Sequence, residues 1–381
     1  LVLWKDKLDV REGKMIDHIE ISNFRNLESR RLKFDGKLNI IFGENGFGKS
    51  NLLESIYFCG FGKSFRTGTQ QFVRFDAEHA LIIGTNDDKD VLKVAFSSEN
   101  AKNIILNNKK IARTSQLLGT FPTTFIGPEE IEVASGAPAI RRKLLDEHLC
   151  QTDFHYTNML SSYKKNLEQR NGIMRISQYT RSPERELLID SIDEICARDG
   201  SFITLRRMEY VLRIRNTAQE LFNRISGDSA GLLDIKYIST VCDEPKLSVI
   251  VSAFCEKLKK NRTGDIKLAQ TTIGPHRDEL EIYLNGNAAR KFASRGQLRM
   301  ISLALYLSAA CDLSQNLGRV PTILLDDALA ELDPIKAAAA LELVPTLGQT
   351  IVATPHPHHV EFSTIALKKF IFAQSGVVTE G

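Results

Sequence analysis

The hydrophobic and polar positions along the chain change their period twice. From Ile16 to Ile21 apolar and polar residues alternate, as in a strand with one buried face. Leu38–Phe42 (LNIIF) is more densely apolar, as in a strand buried on both faces. A helix is predicted from about Lys49 to Phe58. Short β-like runs follow in ALIIG, VLKVAF and NIILNNKKI, with Asn107-Asn108 placed as a hairpin turn. Near Ser135 the period lengthens: SGAPAIRRKLLDEHL has a capping serine and helical spacing at Ile140, Leu144, Leu145 and Leu149. Helices are predicted from Gln151 to about Gly227, with Ser182-Pro183-Glu184 as a cap, a first-turn proline and an early acid. Strand patterns return after Gly231 in LLDIKYI and in LEIYLNGNAARKF, where Asn285-Gly286 is a hairpin turn. Arg295–Leu313 reads as a helix and Thr322–Asp327 (TILLDD) as a buried strand ending in two acids. Pro334–Leu343 reads as a helix and Thr350–Thr354 as another buried strand. The fold class is therefore α/β, β-rich at both ends and helical in the middle. No heptad is sustained, so no long coiled coil is expected.

Composition narrows the class only slightly. The 381 residues suffice for one large domain or two medium ones, and 43% hydrophobic with 25% charged is ordinary for a globular protein. A net charge of +3 is too small to indicate nucleic-acid binding, so any basic surface must be local. The six cysteines form no C-x-x-C pair, which fits reduced thiols in a cytoplasm and neither a zinc site nor a redox motif. No apolar run has a membrane helix's length and no secretory signal is visible. Met15 opens the first strand. Leu1–Lys14 are set aside as an extension or tag remnant.

The most informative stretch is GENGFGKS, Gly43 to Ser50, between the buried strand and the helix. Gly43, Gly48, Lys49 and Ser50 meet the pattern G-x-x-x-x-G-K-[ST]. A triphosphate needs donors at close range. Glycines admit backbone N–H groups, and the helix start adds its positive dipole end. Lys49 would reach the β- and γ-phosphates, and Ser50 would ligate Mg²⁺. Such a site needs a carboxylate, and ILLDDALAELD supplies it. Asp326 is placed to hold the metal through water and Asp327 to orient the attacking water. About 275 residues separate Ser50 from Asp326, so the nucleotide core is expected to be split by a large insertion.

Ahead of the acidic strand lies FASRGQLRMISLAL, Phe292 to Leu305. Its Ser-x-Gly-Gln at a helix start is similar to the signature of ABC-type ATPases. The order of glycine loop, long insertion, S-x-G-Q and Asp-Asp strand matches ABC-type heads of the SMC class. More narrowly, NFRN, GENGFGKSNLLESIYF, GKSFRT, FIGPEEIEVASGAPAIRRKLLD, YKKNLEQRN, GPHRDELEIYLNG, SRGQLR and LLDDALAELD resemble the RecF family, from Met15 onward. The resemblance implies an ABC/SMC-type P-loop ATPase head with a mixed sheet. It places ATPase lobe I at 15–134 and 300–381, and a largely helical lobe II at 135–299 ending in the signature. It implies a cytoplasmic, weak, DNA-stimulated ATPase that forms an ATP-dependent homodimer and binds single-stranded and gapped double-stranded DNA. Such a protein works with RecO and RecR to load RecA in DNA repair and the SOS response. Carried over by position, Gly43, Glu44, Asn45, Gly46, Phe47, Gly48, Lys49, Ser50 and Asn51 hold ATP, with Arg25 and Thr354 beside it. Ser50 and Asp326 serve Mg²⁺, and Asp327 serves the hydrolytic water. Ser294, Gly296 and Gln297 touch the ATP of a second copy, and Asp333 helps tie the copies together.

Some features depart from the family or stay open. Arg295 stands where the family has Gln; it could strengthen closure or point to solvent. His356 is the alternative to Thr354 as γ-phosphate sensor. His356, His358 and His359 also read as a solvated loop, and two prolines break any helical metal spacing. DNA-contact candidates are Arg141-Arg142-Lys143, Lys164-Lys165, Arg206-Arg207 and Lys257-Lys259-Lys260-Arg262, although each charge run is more readily read as a solvated face. In GPHRD, Gly274-Pro275 reads as a turn and Arg277-Asp278 as a local ion pair, which favours a structural role. An alternative function is a DNA-binding clamp with structural ATP and incidental turnover. A nuclease-coupled ATPase of the overcoming-lysogenisation-defect type is not expected, because only about 50 residues follow Asp333. A full SMC protein is not expected without heptad arms.

Overall fold

The computed structural model describes residues 15–66, 71–99, 101–178, 182–227, 231–330, 332–355, 367–372 and 378–380. The chain divides into two compact units. The first comprises residues 1–135, 217–231 and 293–381, and the second comprises 136–216 and 232–292.

The first unit opens with β1 (Ile16–Ser22), β2 (Arg30–Lys33) and β3 (Leu38–Phe42), followed by α1 (Lys49–Phe61). Next come β4 (His79–Asn86), β5 (Val91–Ser97), β6 (Lys102–Leu106), β7 (Lys109–Lys110) and β8 (Thr123–Ile126). Six of these form an antiparallel sheet in the order β2-β1-β4-β5-β6-β7. Asn107 and Asn108, at φ 49° and 64°, make the β6–β7 turn in the left-handed region that asparagine tolerates. Helix α1 is buried along most of its length, with Leu52, Leu53, Ile56, Tyr57 and Phe58 in the core. It packs against β4 of this sheet and against β8, so both of its faces meet core. Phe24, Phe58 and Phe96 pack ring on ring at 5.2–6.0 Å in this core.

The second unit is largely helical: α2 (Pro138–Thr152), α3 (Phe154–Ser177), most of α4 (Pro183–Ser226) and α5 (Leu247–Leu268). From Thr217 onward α4 belongs to the first unit. A small sheet, β11-β10-β9, joins β9 (Leu233–Ile238), β10 (Glu279–Leu284) and β11 (Asn287–Ala288). Ser135 does not cap α2. The cap is Ala137 with Pro138 in the first turn, because proline presets the helical φ where no N–H donor is needed, and the Ser135 hydroxyl bonds to Glu132 instead. The GPHRD stretch is structural in a way its sequence conceals. Gly274 sits at φ 117°, and a Cβ there would lie 2.5 Å from Tyr163 Oη and 2.6 Å from the Phe254 ring. Asp278 is fully buried and accepts from Tyr237 Oη (2.7 Å) and from Thr240 N and Oγ1 (both 2.7 Å). Arg277 is exposed and donates to Thr271 O, so the expected Arg277–Asp278 ion pair gives way to hydroxyl and amide donors.

The chain then returns to the first unit through α6 (Arg295–Leu317), β12 (Thr322–Asp326), α7 (Pro334–Leu343), β13 (Gln349–Thr354), β14 (Leu367–Phe372) and β15 (Val378–Glu380). These strands and the earlier β3 and β8 build a second sheet, β15-β14-β3-β13-β12-β8, parallel except at β15. Its central strands are buried throughout, as a sheet covered on both faces requires. Ala353 of β13 pairs with Ile41 on one side and Asp326 on the other. The ends of β3 and β12 therefore finish level, one strand apart, although α1 to α6 lie between them in sequence.

Candidate functional site

The carboxyl ends of parallel strands are where such sheets bind ligands, and the glycine loop leaves β3 at that edge. Gly43 and Gly48 adopt φ 151° and 107°. At Gly48 a Cβ would come within 2.8 Å of both Asn26 Oδ1 and Leu27 Cδ2, and the positive φ itself favours glycine. Gly48 is also the N-cap of α1 and supplies no side-chain cap. The first N–H groups of the helix are thus left to an incoming anion. Lys49 is nearly buried, and its Nζ donates to the carbonyls of Gly43 (2.5 Å) and Glu44 (2.8 Å). Burial lowers its pKa, while Asp326 and Asp327 push it back up.

Ser50 Oγ donates to Asp326 Oδ1 at 3.0 Å. Asp326 is 8% exposed, and burial raises its carboxyl pKa against the Ser50 hydrogen bond and the charges of Arg66 and Lys49. Asp327 follows at φ 54°, with its N–H on the Ala353 carbonyl at 2.9 Å. That left-handed turn sends the chain off the strand end immediately after Asp326. Thr354 ends β13 on the same edge, buried and paired with Phe42. His356, His358 and His359 lie outside the described residues.

Lys49, Ser50, Asp326 and Asp327 are thus brought together. The signature residues keep to themselves. Ser294 caps α6 by accepting from Gln297 N at 3.2 Å, and Gln297 Oε1 accepts from Ser294 N at 2.8 Å. Ser294, Arg295 and Gly296 are exposed. Asp333 is likewise a cap, accepting from Ile335 N and Lys336 N at 3.1 Å. Arg25 is held as a fork by the buried Glu54, through Nε at 3.1 Å and Nη2 at 2.8 Å. Asn51 bonds Asn26 and Arg66. Glu44, Asn45 and Gly46 are exposed at the crest of the loop, and Phe47 tucks against the core.

Glu54, Ser64, Arg66 and Asn26 also belong to this neighbourhood; they stand in the GENGFGKSNLLESIYF, GKSFRT and NFRN stretches, but none of them was given a role from the sequence. The one visible signal is polar Ser50, Asn51, Glu54 and Ser55 within an otherwise apolar helix. Among the described residues, no group of three or more His, Cys, Asp or Glu could hold a metal.

Several arginines of the basic clusters read from the sequence form internal or part-buried ion pairs. Arg141 is buried on Glu279 (2.7 Å), Arg207 is buried on Asp146 (2.7 Å), Arg206 pairs with Asp153 (3.0 Å) and Arg262 with Asp193 (2.9 Å). Adjacent letters conceal this, because neighbours on a helix point some 100° apart and differ in exposure. Lys164, Lys165, Lys257, Lys259 and Lys260 are exposed.

A glycine loop and an acidic strand on one parallel sheet, a signature-capped helix and a largely helical second unit define the head fold of ABC/SMC-type P-loop ATPases. The family described as RecF/RecN/SMC N terminal domain matches residues 15–378. The DNA replication and repair protein RecF of Agathobacter rectalis is 35% identical over 326 residues, 84% of this chain and 86% of that protein. RecF of Bacillus subtilis is 30% identical over 376 residues, 96% of this chain and all of that protein. The solved structure of the recombination mediator protein RecF-ATPrS in the RecFOR pathway superposes with a TM-score of 0.86 at 29% identity, covering 97% of this chain and 100% of that one. The chain belongs to the RecF family within the SMC class. The Smc head domain of Pyrococcus furiosus, at 15% identity and a TM-score of 0.57, shares the fold. Among the described residues no helix is long and apolar enough to cross a membrane.

Proposed function

We propose that the chain is an ATP-dependent, DNA-binding recombination mediator. It binds ATP with Mg²⁺, dimerises on the nucleotide, hydrolyses it slowly in response to DNA, engages single-stranded and gapped duplex DNA, and works with RecO and RecR to load RecA. The observation that carries this reading is the Ser50–Asp326 pair beneath the glycine loop, in a chain similar over nearly its whole length to the RecF-ATP structure (TM-score 0.84, 30% identity).

The donor set fits the metal. A hydroxyl and a carboxylate 3.0 Å apart are hard oxygen ligands, and Mg²⁺ binds through one or two such groups, waters and substrate phosphates. When bound, Mg²⁺ supplies charge neutralisation at the β- and γ-phosphates. The backbone N–H groups at the start of α1 orient the phosphates, and Lys49 offsets their charge. Asp327, beside Asp326 at the same strand end, accepts the proton of the attacking water. The exposed Ser294 helix start offers its hydroxyl and N–H groups to the triphosphate held by a second copy. Each copy then completes the other's site, and turnover follows dimerisation.

Sedimentation tests this directly. With Asp327→Asn to slow hydrolysis, ATP should double the sedimenting mass, and Ser294→Arg should abolish the doubling. A monomer fully loaded with ATP would overturn the reading. The alternative, a clamp with structural ATP, predicts equal DNA lifetimes for wild type and Asp327→Asn in ATP. The convergence of Lys49, Ser50, Asp326 and Asp327 supports turnover instead.

A further inference from the structure

Behind the glycine loop sits a carboxylate that the chemistry above does not use. Glu54 lies one helical turn beyond Ser50 on α1 and is fully buried. A carboxylate out of water must be matched by cations and donors. Arg25 donates Nε and Nη2 to it at 3.1 and 2.8 Å, Ser64 donates Oγ at 2.6 Å, and Arg66 Nη1 lies 3.2 Å away. Both flanks of the segment after α1 are thereby tied down. Arg66 N donates to Ser64 Oγ on one flank, and on the other Arg25 donates to Gln71 O and lies 5.0 Å over the Phe72 ring.

From Arg66 a chain of hydrogen bonds runs to the loop. Arg66 Nη1 donates to Asn51 Oδ1 (2.8 Å), Asn51 Nδ2 to Asn26 Oδ1 (2.7 Å), and Asn26 Nδ2 to Gly46 O (3.2 Å). All links point the same way. An amide that accepts from a cation on its oxygen donates more strongly from its nitrogen, so the links reinforce one another. The chain ends on a loop carbonyl, and Lys49 holds two more, those of Gly43 and Glu44. Carbonyls engaged by these donors are kept from an anion, and the peptide N–H groups are left for it.

We propose that Glu54 is a positioning residue for nucleotide binding, a role that rests on the reading above: it fixes Arg66, and through Asn51 and Asn26 it sets the crest of the phosphate loop. Glu54 touches no nucleotide itself. It determines how the groups that do are aimed.

Equilibrium binding of a fluorescent ATP analogue with Mg²⁺ tests the proposal, with folding followed by circular dichroism. Wild type is measured first; no uptake overturns the nucleotide reading itself, and this proposal with it. Given uptake, Glu54→Gln and the exposed-site Asn26→Ala are each expected to raise Kd about tenfold, the scale of one charge-assisted hydrogen bond. The double variant should bind no more weakly than Glu54→Gln alone, because both break one chain. Wild-type affinity in Asn26→Ala, or multiplied losses in the double variant, overturns the proposal. Should Glu54→Gln not fold, the cycle of Asn26→Ala with Arg66→Gln decides by the same criterion.

Discussion

Ser50 and Asp326 share one hydrogen bond of 3.0 Å across 276 positions of sequence. The bond exists because β13 separates their strands by a single place and Ala353 aligns the two ends. Asp326→Asn keeps an oxygen acceptor for Ser50 while removing the charge. The expected outcome is unchanged thermal unfolding with at least about a tenfold loss of Mg²⁺-dependent nucleotide affinity. Titration calorimetry with and without Mg²⁺ reads both numbers.

Asp327 has a backbone constraint beside its proposed role in turnover. At φ 54° it occupies the left-handed region, which asparagine and aspartate tolerate and alanine does not. Asp327→Asn should therefore keep native stability and lower phosphate release about a hundredfold or more. Asp327→Ala should lose the same activity and about 1 kcal/mol of stability as well. Equal melting curves for the two variants would contradict the strain argument.

Arg170 is fully buried in the second unit, bonded to Asp193 (2.5 Å), Asp265 (2.8 Å) and Thr271 (2.8 Å). Arg170→Ala leaves the buried Asp265 without its cation, while Asp193 keeps Arg262, and should cost about 3 kcal/mol or more. Lys259→Ala and Lys260→Ala should stay within about 0.5 kcal/mol of wild type. Urea unfolding distinguishes the two kinds of basic residue.

Acid should weaken the second unit through His276. One ring nitrogen lies 2.7 Å from Tyr163 Oη and the other 3.0 Å from the Thr271 carbonyl, a pairing suited to the neutral ring. Burial pulls its pKa down from 6.5 to about 4. Above pH 6.5 the ring is neutral folded and unfolded, and its contribution is complete. As pH falls below 6.5 the unfolded chain takes the proton first, so stability drops until the folded ring also titrates near 4. The full loss is about 3 kcal/mol. Urea midpoints at pH 7 and pH 4.5 should differ by less in His276→Gln than in wild type.

Local chemistry written in consecutive residues was legible without coordinates. The α/β order, the hairpins at Asn107-Asn108 and Asn285-Gly286, the glycine loop and the acidic strand all follow from short-range rules, because turn geometry, side-chain period and phosphate cradling depend on residues close in sequence. Pairing between distant residues was legible only where a shared ligand demanded it, as for Ser50 and Asp326, which strand order brought together. Burial turned Arg141 and Arg207 from candidate DNA contacts into internal ion pairs, and packing made Glu54, a residue given no role from the sequence, the hub of a hydrogen-bond network. Charge neutralisation and hydrogen bonding act over a few ångströms of space, and only the tertiary fold decides which side chains come that close.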